Sequence, residues 1–278
     1  IVLAGKPIEQ MNKLRKSMSI LKNGGLLELS ATDSIETLVI SDIPEKNLSG
    51  VGSGPSAYST LNCDELLQLG KEVFSQNIEE DLFKLYHEFI DKHASDLIKE
   101  VELHPFKVIA DYNLASKILK KYEWKQDLHI CLDPLNLSLT EGVDFLMQEC
   151  VGSWIFSGGE FPINVNSLQY GKGGRNQHLV LEFARRVFFK NELKLEQEKL
   201  QQCHIVSIGS DGIDGNTDVA GAFFDYDRFK KAQALGLEPE YYLENFDSHS
   251  YLKKVDALIK TGPSDTNIMD LRLSFIAK

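Results

Sequence analysis

The sequence predicts an α/β protein. Three observations carry that expectation. Short apolar runs alternate with amphipathic helical patterns along most of the chain, glycine-rich polar loops sit at the ends of those runs, and 278 residues suffice for two domains or one large α/β unit. Hydrophobic residues at 42% and charged residues at 26% match a folded globular chain, which excludes intrinsic disorder.

Taken in order, Ile8, Met11, Leu14, Met18 and Leu21 recur at helical spacing, and Asn23-Gly24-Gly25 then ends the pattern. Thr37 to Ile40 reads as a short buried strand, followed by a loop from Ser41-Asp42-Ile43-Pro44 to Gly50-Val51-Gly52-Ser53-Gly54-Pro55. Helices are expected over Asp64 to Phe74 and Glu79 to Ile98. The runs Phe106 to Ala110 and Leu128 to Leu132 lie near helical patterns at Leu114 to Leu119 and Val143 to Met147. That rhythm is the one expected of mostly parallel sheets. Further strands are expected at Trp154 to Phe156, Ile163 to Val165, His204 to Gly209 and Leu271 to Ile276. Helices are expected at Gln177 to Val187, Tyr226 to Leu235 and Ser248 to Ile259, with charged Lys190 to Gln202 as a surface extension of a helix.

A net charge of −11 repels a polyphosphate backbone, and no local basic patch offsets it, so neither nucleic acid nor an anionic membrane is an expected partner. Cys63, Cys131, Cys150 and Cys203 form no CxxC pair. Neither a zinc knuckle nor a disulfide framework is suggested, and a reducing cytoplasm is the expected compartment. No apolar run approaches the roughly 20 residues that span a bilayer, and no signal-peptide pattern opens the chain. The first residue is Ile1, so a fragment or a processed product is expected.

Glycine and short polar residues gather beside expected strand ends at Ser53-Gly54-Pro55-Ser56, Ser157-Gly158-Gly159-Glu160, Gly171 to Gln177, Gly209 to Asp218 and Thr261 to Asn267. Such loops suit phosphate or carboxylate, because backbone N–H groups approach an anion and a following helix adds its positive end. Each is equally readable as a tight turn that needs glycine. Lys172 and Arg175 stand beside three glycines ahead of a helix, where a guanidinium grips an anion bidentately or simply decorates an exposed turn. Asp211, Asp214 and Asp218 could hold Mg²⁺ or position a hydroxyl, or they form Asp-Gly turns that cap a helix at Thr217. No Walker loop, no GxGxxG after a strand and no GxSxG are present. His87-Glu88 lacks the second histidine of a zinc-protease helix, Asp91 standing there instead.

Three stretches resemble signatures of the type II glycerate kinases, whose C-terminal part is the MOFRL domain. They are Gly173-Gly174-Arg175-Asn176-Gln177, Gly209-Ser210-Asp211-Gly212-Ile213-Asp214-Gly215-Asn216-Thr217-Asp218-Val219-Ala220-Gly221-Ala222 and Thr261-Gly262-Pro263-Ser264-Asp265-Thr266-Asn267-Ile268-Met269-Asp270-Leu271. Ser157-Gly158-Gly159-Glu160 and Ile8 to Lys16 extend the resemblance along nearly the whole chain. It implies two three-layer α/β domains, residues 1–150 and a MOFRL-like 151–278, with substrates in an interdomain cleft. The implied reaction is ATP-dependent phosphorylation of D-glycerate to 2-phosphoglycerate, assisted by Mg²⁺.

In that resemblance Arg175 neutralises charge on the transferred phosphoryl group, and Asp211 and Asp214 orient metal or substrate hydroxyl. Ser53, Gly54, Gly158, Gly159, Glu160, Gly173, Gly174, Asn176, Thr217, Asp218, Thr261, Gly262, Thr266 and Asn267 are the implied substrate and nucleotide contacts. The family usually begins with a further α/β portion carrying a Gly-Lys segment and a serine-glycine-rich phosphate loop. This chain starts after both, and Lys6 resembles the downstream helix entrance. A second copy or a separate N-terminal chain is therefore an expected partner. Glu45-Lys46-Asn47 replaces the family's Gly-Asp-Asp, and Gly52 to Ser56 replaces Ala-Ser-Gly-Pro-Thr. The alternative function is a catalytically inactive homologue that binds a small anion or a protein.

Overall fold

The computed structural model describes residues 8–32, 34–43, 50–74, 80–97, 106–165 and 170–278. Lys6 and Glu45-Lys46-Asn47 lie outside the described residues, as does the expected helix end at Ile98. The chain forms two compact units, residues 1–109 and 110–278.

In the first unit, α1 (Ile8–Ser17), α3 (Cys63–Phe74) and α4 (Glu80–Leu97) are the main helices. Leu66, Leu69, Val73 and Phe74 of α3 meet Tyr86 and Ile90 of α4 in one buried cluster that also takes Leu14 of α1. The Phe74 and Tyr86 rings lie 5.2 Å apart, an arrangement that adds to simple burial. Asn23-Gly24-Gly25 does more than end a helix: α1 stops earlier, at Ser17, and Gly24 caps the start of a short α2 (Gly25–Leu29). β1 (Thr37–Ile40) and β2 (Phe106–Ala110) form a two-stranded sheet.

In the second unit, α5 (Tyr112–Leu119) begins where Asp111 accepts from Leu114 N at 2.6 Å. The helix α6 (Leu139–Glu149) opens with a capping box between Ser138 and Glu141. Around them runs a six-stranded sheet, ordered β3 (Leu128–Ile130), β4 (Trp154–Gly158), β8 (Asp270–Phe275), β5 (His204–Gly209), β6 (Gly221–Phe224) and β7 (Leu258–Ile259).

The α/β class holds, and the expectation of mostly parallel pairing does not. Within the six-stranded sheet only β3–β4 is parallel, while β4–β8, β8–β5, β5–β6 and β6–β7 are antiparallel. For the two pairs that involve β8, the reason is where the last strand goes. Since β4 and β5 both oppose β8, they run in the same direction, and α7 (Arg175–Ala184) crosses between them as a parallel unit requires. The C-terminal strand then slots between the two.

Three local expectations also change. Ile163 to Val165 is unpaired chain rather than a strand. The segment after α7 winds into a π-helical turn, Arg185–Phe189, and then leaves the helix, so Lys190 to Gln202 holds only the short α8 (Gln197–Leu200). Finally α11 (Ser248–Lys254) ends well before Ile259, which belongs to β7. The helices α9 (Tyr226–Ala234) and α10 (Pro239–Glu244) complete the unit.

Residues 110–150, which the sequence groups with the N-terminal part, lie in the second unit, where β3 pairs with β4. At the centre of that unit, α7 is buried on almost every side, from Asn176 to Leu181 and at Phe183 and Ala184. A helix so enclosed cannot use water to satisfy its first N–H groups, so the protein must do it.

Candidate functional site

Gly174 precedes α7 and has no side chain to cap it. The cap comes from Asp214, in the loop after β5. Its Oδ1 accepts from Asn176 N at 3.1 Å and Asn176 Nδ2 at 3.2 Å, and its Oδ2 accepts from Gln177 N and Gln177 Nε2, both at 2.9 Å. Asp214 is 2% exposed. Burial pushes its pKa above the ordinary aspartate value, against the pull of the four donors. A second layer locks the donors: Asn176 Oδ1 accepts from Ser207 Oγ at 2.5 Å, Gln177 Nε2 also donates to Thr217 Oγ1 at 3.1 Å, and Gln177 Oε1 meets His249 Nδ1 at 2.9 Å. Gly215, at φ 64°, makes the close pass possible, since an added Cβ would sit 2.1 Å from Gly173 O.

The helix start that suited an external anion is therefore occupied by the chain's own. Asp214 has no oxygen left for a metal ion, because its capacity for acceptor bonds is filled. Asp211 differs: Oδ1 takes Ile213 N at 3.0 Å in a local turn, and Oδ2 makes no bond among the described residues. No group of three or more His, Cys, Asp or Glu among the described residues is arranged to hold a metal.

Arg175, the first residue of α7, is held from two sides. Nε donates to Asp270 Oδ2 at 2.5 Å, and Nη2 donates to Asp270 Oδ1 at 3.1 Å and to Glu160 Oε1 at 2.6 Å. Asp270 is 2% exposed. Burial alone would lower the arginine pKa, but the Asp270 hydrogen bond and charge, with Glu160 and Asp214 behind them, raise it above its ordinary value. The guanidinium is a permanent cation, and its Nη1 makes no bond within the described residues.

Two residues along β8, fully buried Arg272 donates to Gly159 O at 2.6 Å and lies 3.8 Å over the Phe161 ring. Burial lowers its pKa to about 10. Gly159 N in turn donates to Asp270 O at 3.1 Å. The turn that carries Glu160 is thus fastened to the strand that carries Asp270, and both carboxylates reach one arginine.

Arg175 and Asp211 open onto a cavity of about 690 Å³, which Gly173, Gly174, Asp214 and Asp270 also line. Ile163, Val165, Tyr170, His178 and Phe246 line it as well. The loop holding Thr261, Gly262, Thr266 and Asn267 lies against the Asp211 loop: Ser264 N donates to Asp211 O at 3.0 Å, and Ser264 Oγ donates to Ser210 O at 2.6 Å. Glu160, Gly158 and Gly159 sit behind Arg175, and Asn176 and Thr217 belong to the Asp214 network. Asp218 is in an exposed ion pair with Lys260. Lys172 does not line the cavity, and its backbone N donates to Asp247 Oδ1 at 2.9 Å. Ser53 and Gly54 lie in the first unit, where their carbonyls accept from Asn23 N at 3.2 Å and Gly24 N at 2.8 Å.

Asp270 and Arg272 are the site residues that sequence reasoning missed. Their signal was present: Asp270, Arg272 and Ser274 occupy alternate, buried positions of β8, so the buried face of this strand is its polar one.

Residues 153–270 match the MOFRL family, and residues 1–85 match a domain of unknown function, DUF4147. Along its length the chain is related to glycerate kinases. It is 30% identical to D-glycerate 2-kinase of Thermotoga maritima, over 99% of this chain and 64% of that protein. It is 27% identical to glycerate 2-kinase of Sulfurisphaera tokodaii, over 96% of this chain and 62% of that one. The chain thus spans less than two thirds of either relative. A crystal structure of glycerate kinase from T. maritima superimposes with a TM-score of 0.74 at 28% identity, covering 99% of this chain and 65% of that one. No helix among the described residues is long and apolar enough to cross a membrane.

Proposed function

We propose that the chain acts as a glycerate 2-kinase, transferring the γ-phosphoryl group of ATP to the C2 hydroxyl of D-glycerate. The observation that carries this reading is Arg175, a permanent cation that lines the cavity, is fixed by two carboxylates and has an Nη1 without a bond among the described residues. Phosphoryl transfer asks the protein mainly for positioning and charge stabilisation, and a preorganised guanidinium supplies both. In the transfer, the hydroxyl oxygen bonds to the γ-phosphorus, the bond to the bridging oxygen of ADP breaks, and the hydroxyl proton passes to solvent.

Asp211 is proposed to orient that hydroxyl or to contribute one ligand to Mg²⁺, which in nucleotide sites binds through one or two carboxylates together with phosphates and water. The metal would offset phosphate charge there. Asp214 is assigned to holding α7. Thr261, Gly262, Thr266 and Asn267 are proposed as the rim behind Asp211, and Gly173 and Gly174 as the close backbone approach. Four free cysteines favour a reducing, cytoplasmic setting.

The test is ATP consumption coupled to D-glycerate, with 2- and 3-phosphoglycerate resolved. The expected product is 2-phosphoglycerate, and Arg175→Lys, which keeps the charge but cannot span both carboxylates, should lower kcat by about 10²-fold or more. No product, or full turnover in Arg175→Ala, would overturn the assignment.

A further inference from the structure

A three-carbon acid leaves most of a cavity of about 690 Å³ empty, since pockets of this size hold drug-sized ligands. Part of its lining is apolar or aromatic: Ile163, Val165, Tyr170 and Phe246. Val165 and Tyr170 are exposed there, at 42% and 61%, beside Ile163. Phe246 faces the same space and is fixed in two ways. It is a bulky residue at φ 50°, a conformation that persists only when the surroundings impose it. Its ring is also stacked on that of buried His178, with centroids 5.6 Å apart and planes at 22°.

Ser248 adds a polar anchor. It lines the cavity, is 1% exposed, and its hydroxyl has no hydrogen-bond partner among the described residues. A buried hydroxyl without a partner is a costly arrangement unless a ligand completes it.

We infer that this wall receives the nucleoside of the nucleotide, its planar base lying along Phe246 and Tyr170 and a base or ribose polar atom bonding to the Ser248 hydroxyl. The phosphates would then extend towards Arg175, which lines the same cavity. This inference rests on the kinase reading for the identity of the ligand as a nucleotide. The wall itself requires only a flat, mostly apolar group with a polar edge.

Calorimetric titration of the full chain with ATP and with inorganic tripolyphosphate separates the base from the phosphates. The wild type should bind ATP at least about tenfold more tightly than tripolyphosphate, the range that one aromatic stacking contact supports. Phe246→Ala should remove that preference and leave tripolyphosphate affinity unchanged. Ser248→Ala is the companion variant, because deleting an unpartnered hydroxyl should leave the melting temperature unchanged while weakening ATP several-fold. Equal wild-type affinity for the two probes, or unaltered ATP affinity in a folded Phe246→Ala or in Ser248→Ala, would overturn the inference. Glycerate phosphorylation measured alongside keeps the two readings apart. Turnover with insensitive variants removes the nucleoside wall and leaves the kinase standing, whereas lost ATP preference without turnover does the reverse.

Discussion

Asp214→Asn tests the central structural claim, that this carboxylate holds the start of α7. The amide offers one acceptor where the carboxylate offers two. Backbone N–H groups of Asn176 and Gln177 point at opposite oxygens, at 3.1 Å and 2.9 Å, and neither can turn away. Whichever way the new amide lies, one buried backbone donor faces an NH2 group. The side-chain donors have little freedom to compensate, since Gln177 Oε1 is engaged by His249 and Asn176 Oδ1 by Ser207. An orphaned buried donor costs about 1–3 kcal/mol, and losing charge assistance in the remaining bonds adds roughly 1 kcal/mol. The total, about 2–4 kcal/mol, corresponds to a fall in Tm of roughly 4–16 °C for a domain of this size. Thermal unfolding by circular dichroism, run with a metal chelator present, is the assay. A Tm within about 2 °C of wild type would refute the capping role, and a chelator-dependent difference would return Asp214 to the metal.

Two further perturbations follow from the same geometry. Burial lowers the His178 pKa to about 4 from 6.5, so its contribution to stability is complete above the unfolded value and is lost as pH falls from 6.5 towards 4. The loss amounts to about 3 kcal/mol, and urea midpoints at pH 7 and pH 4.5 should diverge less in His178→Phe than in wild type; parallel pH dependence would show that the ring is not held neutral. Gly159 has φ 108°, and an added Cβ would sit 2.2 Å from Leu135 O. Gly159→Ala should therefore destabilise by at least about 1–3 kcal/mol and reduce turnover through the adjacent Glu160. Unchanged urea stability would mean that this turn relaxes freely.

The legible part of the molecule was the part written locally. Apolar runs such as His204 to Gly209 gave strands at the expected residues, and the helices at Asp64 to Phe74 and Tyr226 to Leu235 needed only boundary adjustments. Four of the five glycine-rich loops, those of the second unit, gather around Arg175 and Asp211. What stayed hidden depends on pairing between distant segments. Insertion of β8 between β4 and β5 reverses the pairing without altering any local pattern, because a strand buried on one face reads the same whichever way its neighbours run. Asp214 was visible as an acidic residue in a turn, but a carboxylate is read as a helix cap only from the position just before the helix. Here the cap arrives from far along the chain.

That long-range cap changes what the glycine loop means. A run such as Gly171 to Gly174 ahead of a helix suggests an anion cradle, yet the positive end of α7 is already neutralised by Asp214, and two of the three guanidinium nitrogens of Arg175 are already engaged by Asp270 and Glu160. Among the described residues that line the cavity, charge recognition by a lysine or arginine is thereby narrowed to Nη1 of Arg175. Narrowing has a benefit for transfer chemistry: a cradle of many amides would hold reactant, product and transition state alike, which does not accelerate the chemical step. A single cation, held from behind by Asp270 and Glu160 and rooted in a helix that Asp214 keeps in place, can instead be aimed where charge develops, with no reorganisation required at the moment of transfer.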